Sequence, residues 1–350
     1  MLADEVAAAM QSLGPPAEIY RIGDVRRTLA TLLPKLAAEP LPPLDRAPLA
    51  YDPSLPARAT GEQVARAYTS YTARDYPSIP AILAASMDRL GCGPDHPVRR
   101  AAMAASVLAS VPCANTYHNV NHAREVVCSA VWLSEANAAL AAEGRPGALT
   151  LSPEDDSLLL LLAAMHDIGH DGGTNVRIDG GARYRVPYRL EDRSFALMHP
   201  VLRRAGFHHA ELSEIRAIIR STDAAVRPAV RRLTEHMLHD GIACNGLPPE
   251  LNLIGRSNRL AMITALLADA DILSSAALTP EYQRVQNGRL EGELSAVLCC
   301  NDVLAFLDRV VGGELATAAG RLLDENFQRI RAAVAVHCDD LPASLPSAAT

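Results

Sequence analysis

What this sequence lacks narrows it first. A membrane-spanning helix needs roughly 20 apolar residues, and the most apolar stretch, Leu158 to Met165, is far shorter and reads as a buried helix. Met1 to Met10 carries Asp4 and Glu5 where a secretory signal would be basic and then apolar, so nothing there points to export. The seven cysteines (Cys92, Cys113, Cys128, Cys244, Cys299, Cys300 and Cys338) are odd in number and include no CxxC pair. A chain of this size needs no staples, so the expectation is reduced thiols in a cytoplasm. A surplus of positive charge is missing too: 33 basic residues against 40 acidic leave a net −7, which sets nucleic-acid wrapping aside. Lysine is almost absent, with Lys35 alone, and together with the many alanines this reads as a coding bias rather than a physical requirement. Internal repeats, low-complexity tracts and sustained strand-like alternation are also absent.

What is there is a folded protein's composition, 350 residues that are 49% hydrophobic and 21% charged. Nine prolines between Pro15 and Pro56 interrupt any helix, so residues 1–60 read as a Pro-rich lead with a short helix near Val25 to Leu36. No sensor-like segment is expected in it, and it is left to pack on the body or on a second subunit of a homodimer. From residue 61 to 337 apolar residues recur three or four apart. The spacing predicts helices over Gln63–Tyr71, Ser78–Leu90, Val98–Val111, Ala123–Glu143 and Ser157–Asp167. It predicts further helices over Glu191–Ala205, His208–Arg220, Val226–His239, Asn258–Ser274, Gly292–Val311 and Leu315–Val336. The fold class expected is all-α, one compact multi-helix bundle. Residues 338–350 are expected to fray as a flexible tail.

The histidines concentrate the chemistry. His118 and His122 form one i,i+4 pair, and His166 and His170 form another. On a helix that spacing puts both imidazoles on one face, close enough for one to hold a metal while the other touches its surroundings. The second pair, in His166-Asp167-Ile168-Gly169-His170-Asp171-Gly172, directly follows the apolar run. An apolar helix ending in His-Asp delivers a nitrogen and a carboxylate to a buried site, and a carboxylate can bridge two cations. One such pair alone would ordinarily be structural; two with an adjacent His-Asp point to metal. A divalent site needs more carboxylate, and the Asn258–Ser274 segment offers Asp269 and Asp271 among Ala, Leu and Ile, where an unpaired charge is costly. Two positions apart they point about 200° from one another, so only one can enter the site. Asp271 continues the Ile263 and Leu267 row and is the one chosen.

These residues match a family. Tyr117-His118-Asn119-Val120-Asn121-His122-Ala123 resembles the YHNxxHA signature of the class I 3′,5′-cyclic nucleotide phosphodiesterases of the HD superfamily, here as a bacterial member. His166 to Gly172 resembles their HDxxHxG segment, with Asn175 matching the asparagine after it. Leu190-Glu191 is similar to the start of LExHH, Thr222-Asp223 to TDM, Ala270-Asp271-Ile272 to AD(L/I)S and Phe306-Leu307-Asp308 to GFID, all in the family's order.

The resemblance implies a buried two-metal site. His122, His166, Asp167 and Asp271 would hold a zinc ion, and Asp167 would bridge to magnesium or manganese, whose other ligands are mostly water. His170, Glu191 and Thr222 would hold those waters. His118 would be the general acid that protonates the leaving 3′ oxygen. Tyr117 and Asn175 would line the substrate pocket, and Phe306 would stack on the purine. The expected reaction is hydrolysis of cAMP or cGMP to the 5′-monophosphate, with a small molecule rather than nucleic acid or membrane as partner.

Two departures stand out. Where the family has a glutamine on the purine edge this chain has Val303, with Asn301, Asp302 or Gln286 as polar groups that could reach in from a shifted register. LExHH reads Leu190-Glu191-Asp192-Arg193-Ser194. Two other readings compete: an HD-type phosphohydrolase acting on a cyclic dinucleotide or a nucleotide, and an idle nucleotide-binding relic. The remaining histidines, among them His96, His199, His208, His209, His236, His239 and His337, read as surface or packing residues.

Overall fold

Helices form where apolar spacing and a good first residue coincide. The computed structural model describes residues 50–179, 182–236, 238 and 248–339. The helix expected near Val25 to Leu36, Cys244 and the tail beyond residue 339 lie outside them. In chain order the helices are α1 (Ala57–Arg74), α2 (Ile79–Arg89), α3 (Pro97–Ala109), α4 (Val120–Ala142) and α5 (Pro153–Met165). Then come a hairpin of β1 (Val176–Asp179) and β2 (Ala182–Arg185), α6 (Arg189–Ala205), α7 (His209–Arg220) and α8 (Arg227–Glu235). The last are α9 (Asn258–Ala276), α10 (Pro280–Leu294), α11 (Cys300–Ala305), α12 (Ala318–Arg321) and α13 (Asp324–Asp339). The described residues are all-α apart from one antiparallel hairpin, in which Val176 faces Arg185.

α5 shows why the centre holds. Ser152 and Asp155 cap its start reciprocally, each accepting the other's backbone N–H at 3.1 Å, and Pro153 pre-sets the first turn. Every residue from Leu158 to Met165 is buried, at about 1.5–3 kcal/mol for each large apolar side chain relative to exposure. A helix apolar all round must be surrounded, and α3, α4 and α9 pack against it, with α4 and α9 also touching each other. No single helix among the described residues is long and apolar enough to cross a membrane.

Several sequence expectations need correction. The Gly292–Val311 helix is two pieces, because α10 ends at Leu294 and Ser295 takes the left-handed conformation, φ 51°. Leu315–Val336 likewise divides into α12 and α13. α10 itself was not expected, since its residues are mostly polar. Its start is nonetheless well made: the Thr279 hydroxyl accepts the Tyr282 N–H at 3.1 Å, with Pro280 behind it. The thiol expectation also fails at two positions. Cys300 on α11 and Cys338 on α13 form a disulfide, their Cα atoms 5.5 Å apart, while Cys92, Cys113, Cys128 and Cys299 are free.

Candidate active site

The three mutually packed helices bring their chemistry to one point. His122 lies in the first turn of α4, His166 and Asp167 just past the end of α5, and Asp271 within α9. Asn119 caps α4, its Oδ1 accepting the Asn121 N–H at 2.9 Å, and its amide donates back to the Thr116 carbonyl at 2.9 Å. The Asn115 amide donates to the carbonyls of both His118, at 3.0 Å, and His170, at 3.1 Å, and so joins the two histidine segments. After α5 the chain turns tightly. A Cβ at Gly169 would lie 2.4 Å from the Ser194 nitrogen, so only glycine lets this turn seat against α6. Gly169 N–H donates to the Ser194 hydroxyl at 3.0 Å, and Arg189 and Arg193 both pair with Asp171. Arg193 and Ser194, at the two positions where the LExHH pattern has histidines, thus hold the turn that presents His166 and Asp167.

At the point of convergence His166 Nε2 is 3.1 Å from Asp167 Oδ2 and 3.6 Å from Asp271 Oδ1. His122 Nε2 is 3.3 Å from Asp167 Oδ2 and 3.4 Å from Asp271 Oδ1. Four donors bound to one ion at roughly 2.0–2.1 Å stand about 3.3 Å apart in a tetrahedral shell, so the spacing suits a divalent cation. Electrostatics agree. Burial pulls His122 down, yet Asp167 and Asp271 outweigh it and push the imidazole up to about 9. His166 goes well above its ordinary value for the same reason. Burial opposes ionisation of Asp167 and Asp271, but the imidazoles beside both, with Arg227 beside Asp271, hold these carboxyls well below the usual range. The two carboxylates thus draw positive charge to this point, and a metal ion bound here would displace the imidazole protons, since His ligates only in its neutral form. The Nε2 atoms of His122 and His166 are buried without a hydrogen bond, as unfilled ligand positions are. The His166 ring donates through Nδ1 to the Ala163 carbonyl at 3.0 Å, which turns Nε2 inward. These four residues fit a metal ion.

The first histidine pair stands beside this group. His118 Nε2 is 3.9 Å from Asp167 Oδ2, and its ring stacks on His170 with centroids 3.6 Å apart. Its Nδ1 meets Glu293 Oε1 at 2.5 Å. Burial works against the Glu293 carboxylate, but His118 and the backbone N–H groups of Tyr117 and His118 hold it at about 2. Burial and the nearby His118 push His170 down to about 4. His118, His170 and Glu293 form a second group close enough to share an ion.

A cavity of about 470 Å³ opens over these residues, within the usual range for a small-molecule site. Tyr117, Asn175, Glu191, Thr222, Val303 and Phe306 line it with His118, Asp167, His170 and Asp271, whereas His122 and His166 lie beneath its floor. Tyr117 shares its hydroxyl with Ser275 at 2.8 Å. Asn175 donates to Glu191 Oε2 at 3.0 Å, and burial raises the Glu191 carboxyl to about 7, with Asp223 and Asp167 adding to the rise. Thr222 donates its hydroxyl to the Ile219 carbonyl at 2.8 Å, which leaves only lone pairs toward the cavity. Asp269 points elsewhere, as its helical position requires: buried, it accepts from Ala316 N at 2.9 Å and Thr317 N at 2.8 Å ahead of α12.

Two residues escaped the sequence reading. Glu293 belongs to no motif and sits in the last turn of α10, where the expected Gly292–Val311 helix begins. Arg227 places Nη1 3.3 Å from Asp271 Oδ2 and donates to the Ala268 carbonyl through Nη2. Arg227 falls four residues after Thr222-Asp223 in a stretch that reads as an ordinary helix start; Thr279-Pro280 was the available signal for α10.

No protein-family model and no curated protein matches the chain. Solved structures do. The phosphodiesterase domain of the RhoPDE fusion protein from the choanoflagellate Salpingoeca rosetta is similar at a TM-score of 0.51 and 17% identity, over 88% of this chain and 99% of that one. LmjPDEB1 in complex with IBMX is similar at a TM-score of 0.50 and 13% identity, over 97% of this chain and 98% of that one. At these identities the likeness is one of fold, and the chain has the fold of a phosphodiesterase catalytic domain.

Proposed function

We propose that this chain is a metal-dependent phosphodiesterase that hydrolyses a 3′,5′-cyclic nucleotide, cAMP or cGMP, to the 5′-monophosphate. The observation that carries the reading is the placement of His118 Nε2 3.9 Å from an oxygen of Asp167, at the edge of a four-donor cation site. His122, His166, Asp167 and Asp271 would hold a zinc ion, and Asp167 would be shared with a magnesium or manganese ion. When bound, the ions supply an activated water and positive charge against the phosphate. The chain's own residues do the rest. His118 is the general acid: Glu293 takes the Nδ1 side, so the ring is oriented with Nε2 toward the leaving 3′ oxygen. Tyr117, packed on His122 with ring centroids 4.9 Å apart, backs the acid. His170, Glu191 and Thr222, which line the cavity, would hold the waters of the second ion. Phe306 offers an apolar face for the purine, with Val303 beside it. The shared fold supports the same reading, since the RhoPDE neighbour is a phosphodiesterase domain.

The test is a panel. Protein loaded with Zn²⁺ and Mg²⁺ is incubated with cAMP, cGMP, a cyclic dinucleotide and a nucleoside monophosphate. The expected product is 5′-AMP or 5′-GMP from the first two. Turnover of only the latter two would replace this reading with that of a different phosphohydrolase, and absence of turnover on all four would leave a binding protein.

A further inference from the structure

The cavity walls away from the metal group hold few polar side chains free to meet a ligand. Gln286 is spent on α4: its Nε2 donates to Glu125 Oε2 at 2.5 Å and its Oε1 accepts from Arg289 at 3.2 Å. Glu125 is further fixed by the Tyr282 hydroxyl at 2.5 Å. Asp302 accepts the Cys299 N–H at 2.9 Å and so caps the start of α11. Asn301 is exposed and not part of the cavity wall. Asn287 differs from all of these. It lines the cavity, it is half-buried, and its amide bonds to no described residue.

Its place on α10 suits the base end of a nucleotide. Leu290 and Leu294, three and seven residues on, share its face of the helix and also line the cavity. Glu293, which holds the acid, is six residues on, so Asn287 stands roughly 9 Å along the helix axis from the residue that grips His118. Resting on the function proposed above, we propose that Asn287 reads the edge of the nucleobase. An amide carries one acceptor oxygen and a donor NH₂ group, and rotation about its last bond exchanges their places. Adenine presents an amino donor beside a ring acceptor, and guanine a carbonyl acceptor beside a ring N–H donor. An asparagine that no neighbour locks in one orientation matches both.

The chemistry gives a signed test. Asn287→Asp is acceptor-only when ionised, so it keeps a match to the guanine N–H donors and opposes the ring acceptor of adenine. Wild-type kcat/KM for cGMP and cAMP is expected to agree within roughly tenfold, and Asn287→Asp to move the ratio toward cGMP by roughly tenfold or more. Asn287→Leu should raise KM for both by roughly tenfold, with a smaller change in kcat. Each variant is checked by its melting curve, and because the aspartate result is a ratio within one protein it stands even where the leucine variant folds poorly. A ratio that Asn287→Asp does not move overturns the assignment. A wild-type protein that hydrolyses neither nucleotide overturns the parent function instead, so the two failures are distinct.

Discussion

Glu293 grips His118 from across 175 residues of sequence: Oε2 accepts the ring-bearing residue's own backbone N–H at 2.9 Å, and Oε1 meets the ring at 2.5 Å. One carboxylate therefore sets both the position of the peptide and the orientation of the imidazole. His118→Ala should leave metal content intact and lower turnover of a cyclic nucleotide by roughly 10²- to 10⁴-fold. Glu293→Gln, which keeps an acceptor but loses the charge, should lose about 10- to 100-fold. A nitrophenyl phosphodiester, whose leaving group needs no proton, separates the roles, because His118→Ala should lose much less on it. Equal losses on both substrates would strip His118 of the acid's role.

The two α9 carboxylates should respond differently to removal. Asp271→Ala is expected to abolish tight metal binding, read as ions per chain after dialysis. Asp269→Ala should keep the metal but destabilise the protein by about 1–3 kcal/mol, because it leaves the Ala316 and Thr317 N–H groups buried without an acceptor. Metal lost from the Asp269 variant alone would move the fourth ligand.

Gly169→Ala should be felt in both fold and site. Its Cβ would press on the Ser194 nitrogen at 2.4 Å and the Arg193 carbonyl carbon at 2.7 Å, a clash with backbone that costs about 1–3 kcal/mol to relieve. Because the same turn carries His166 and Asp167, metal affinity should fall along with the melting temperature. A variant with native stability and native affinity would mean that α6 can retreat freely.

Asp324 supplies a pH signature away from the metal group. Burial, with Glu314 adding and the Leu315 N–H opposing, raises its carboxyl to about 6, against about 3.9 in an unfolded chain. The fold thus favours the neutral acid. Its contribution is complete below about pH 4 and is lost as pH rises through about 6. Asp324→Asn, always neutral, should therefore lose less stability than wild type between those values and unfold at a higher denaturant concentration at pH 7. Parallel denaturation midpoints for the two proteins across pH 4 to 7 would contradict this.

The parts of the site that lie on apolar helices were legible from spacing. Leu158 to Met165 announces α5, and its polar ending is conspicuous because nothing apolar competes with it. Asp269 and Asp271 could be told apart by helical phase alone, and the structure turns them to different partners. α10 was illegible for the opposite reason. Its buried residues, Tyr282, Gln283 and Gln286, include two amides, so an apolar periodicity search passes over it. Asn287 went unseen with it, and Glu293, at the start of the expected Gly292–Val311 helix, belongs to no motif. The hairpin was missed because four-residue strands are too short for alternation to register, although Gly180-Gly181 between them is a turn signal. The Cys300–Cys338 pair spans 38 residues with no spacing rule to betray it.

The phase of α9 also governs which changes of length the chain can absorb. One residue inserted between Ile263 and Asp269 would rotate everything after it by about 100°. Asp271 would leave the imidazoles and Asp269 would leave Thr317 in the same event, so a single insertion strips the cation site and unfastens the turn before α12 together. The stretch from Gly144 to Leu151 carries neither duty, and a residue gained there displaces no ligand. Length can drift at a joint such as this one, while α9 is held to register at both faces.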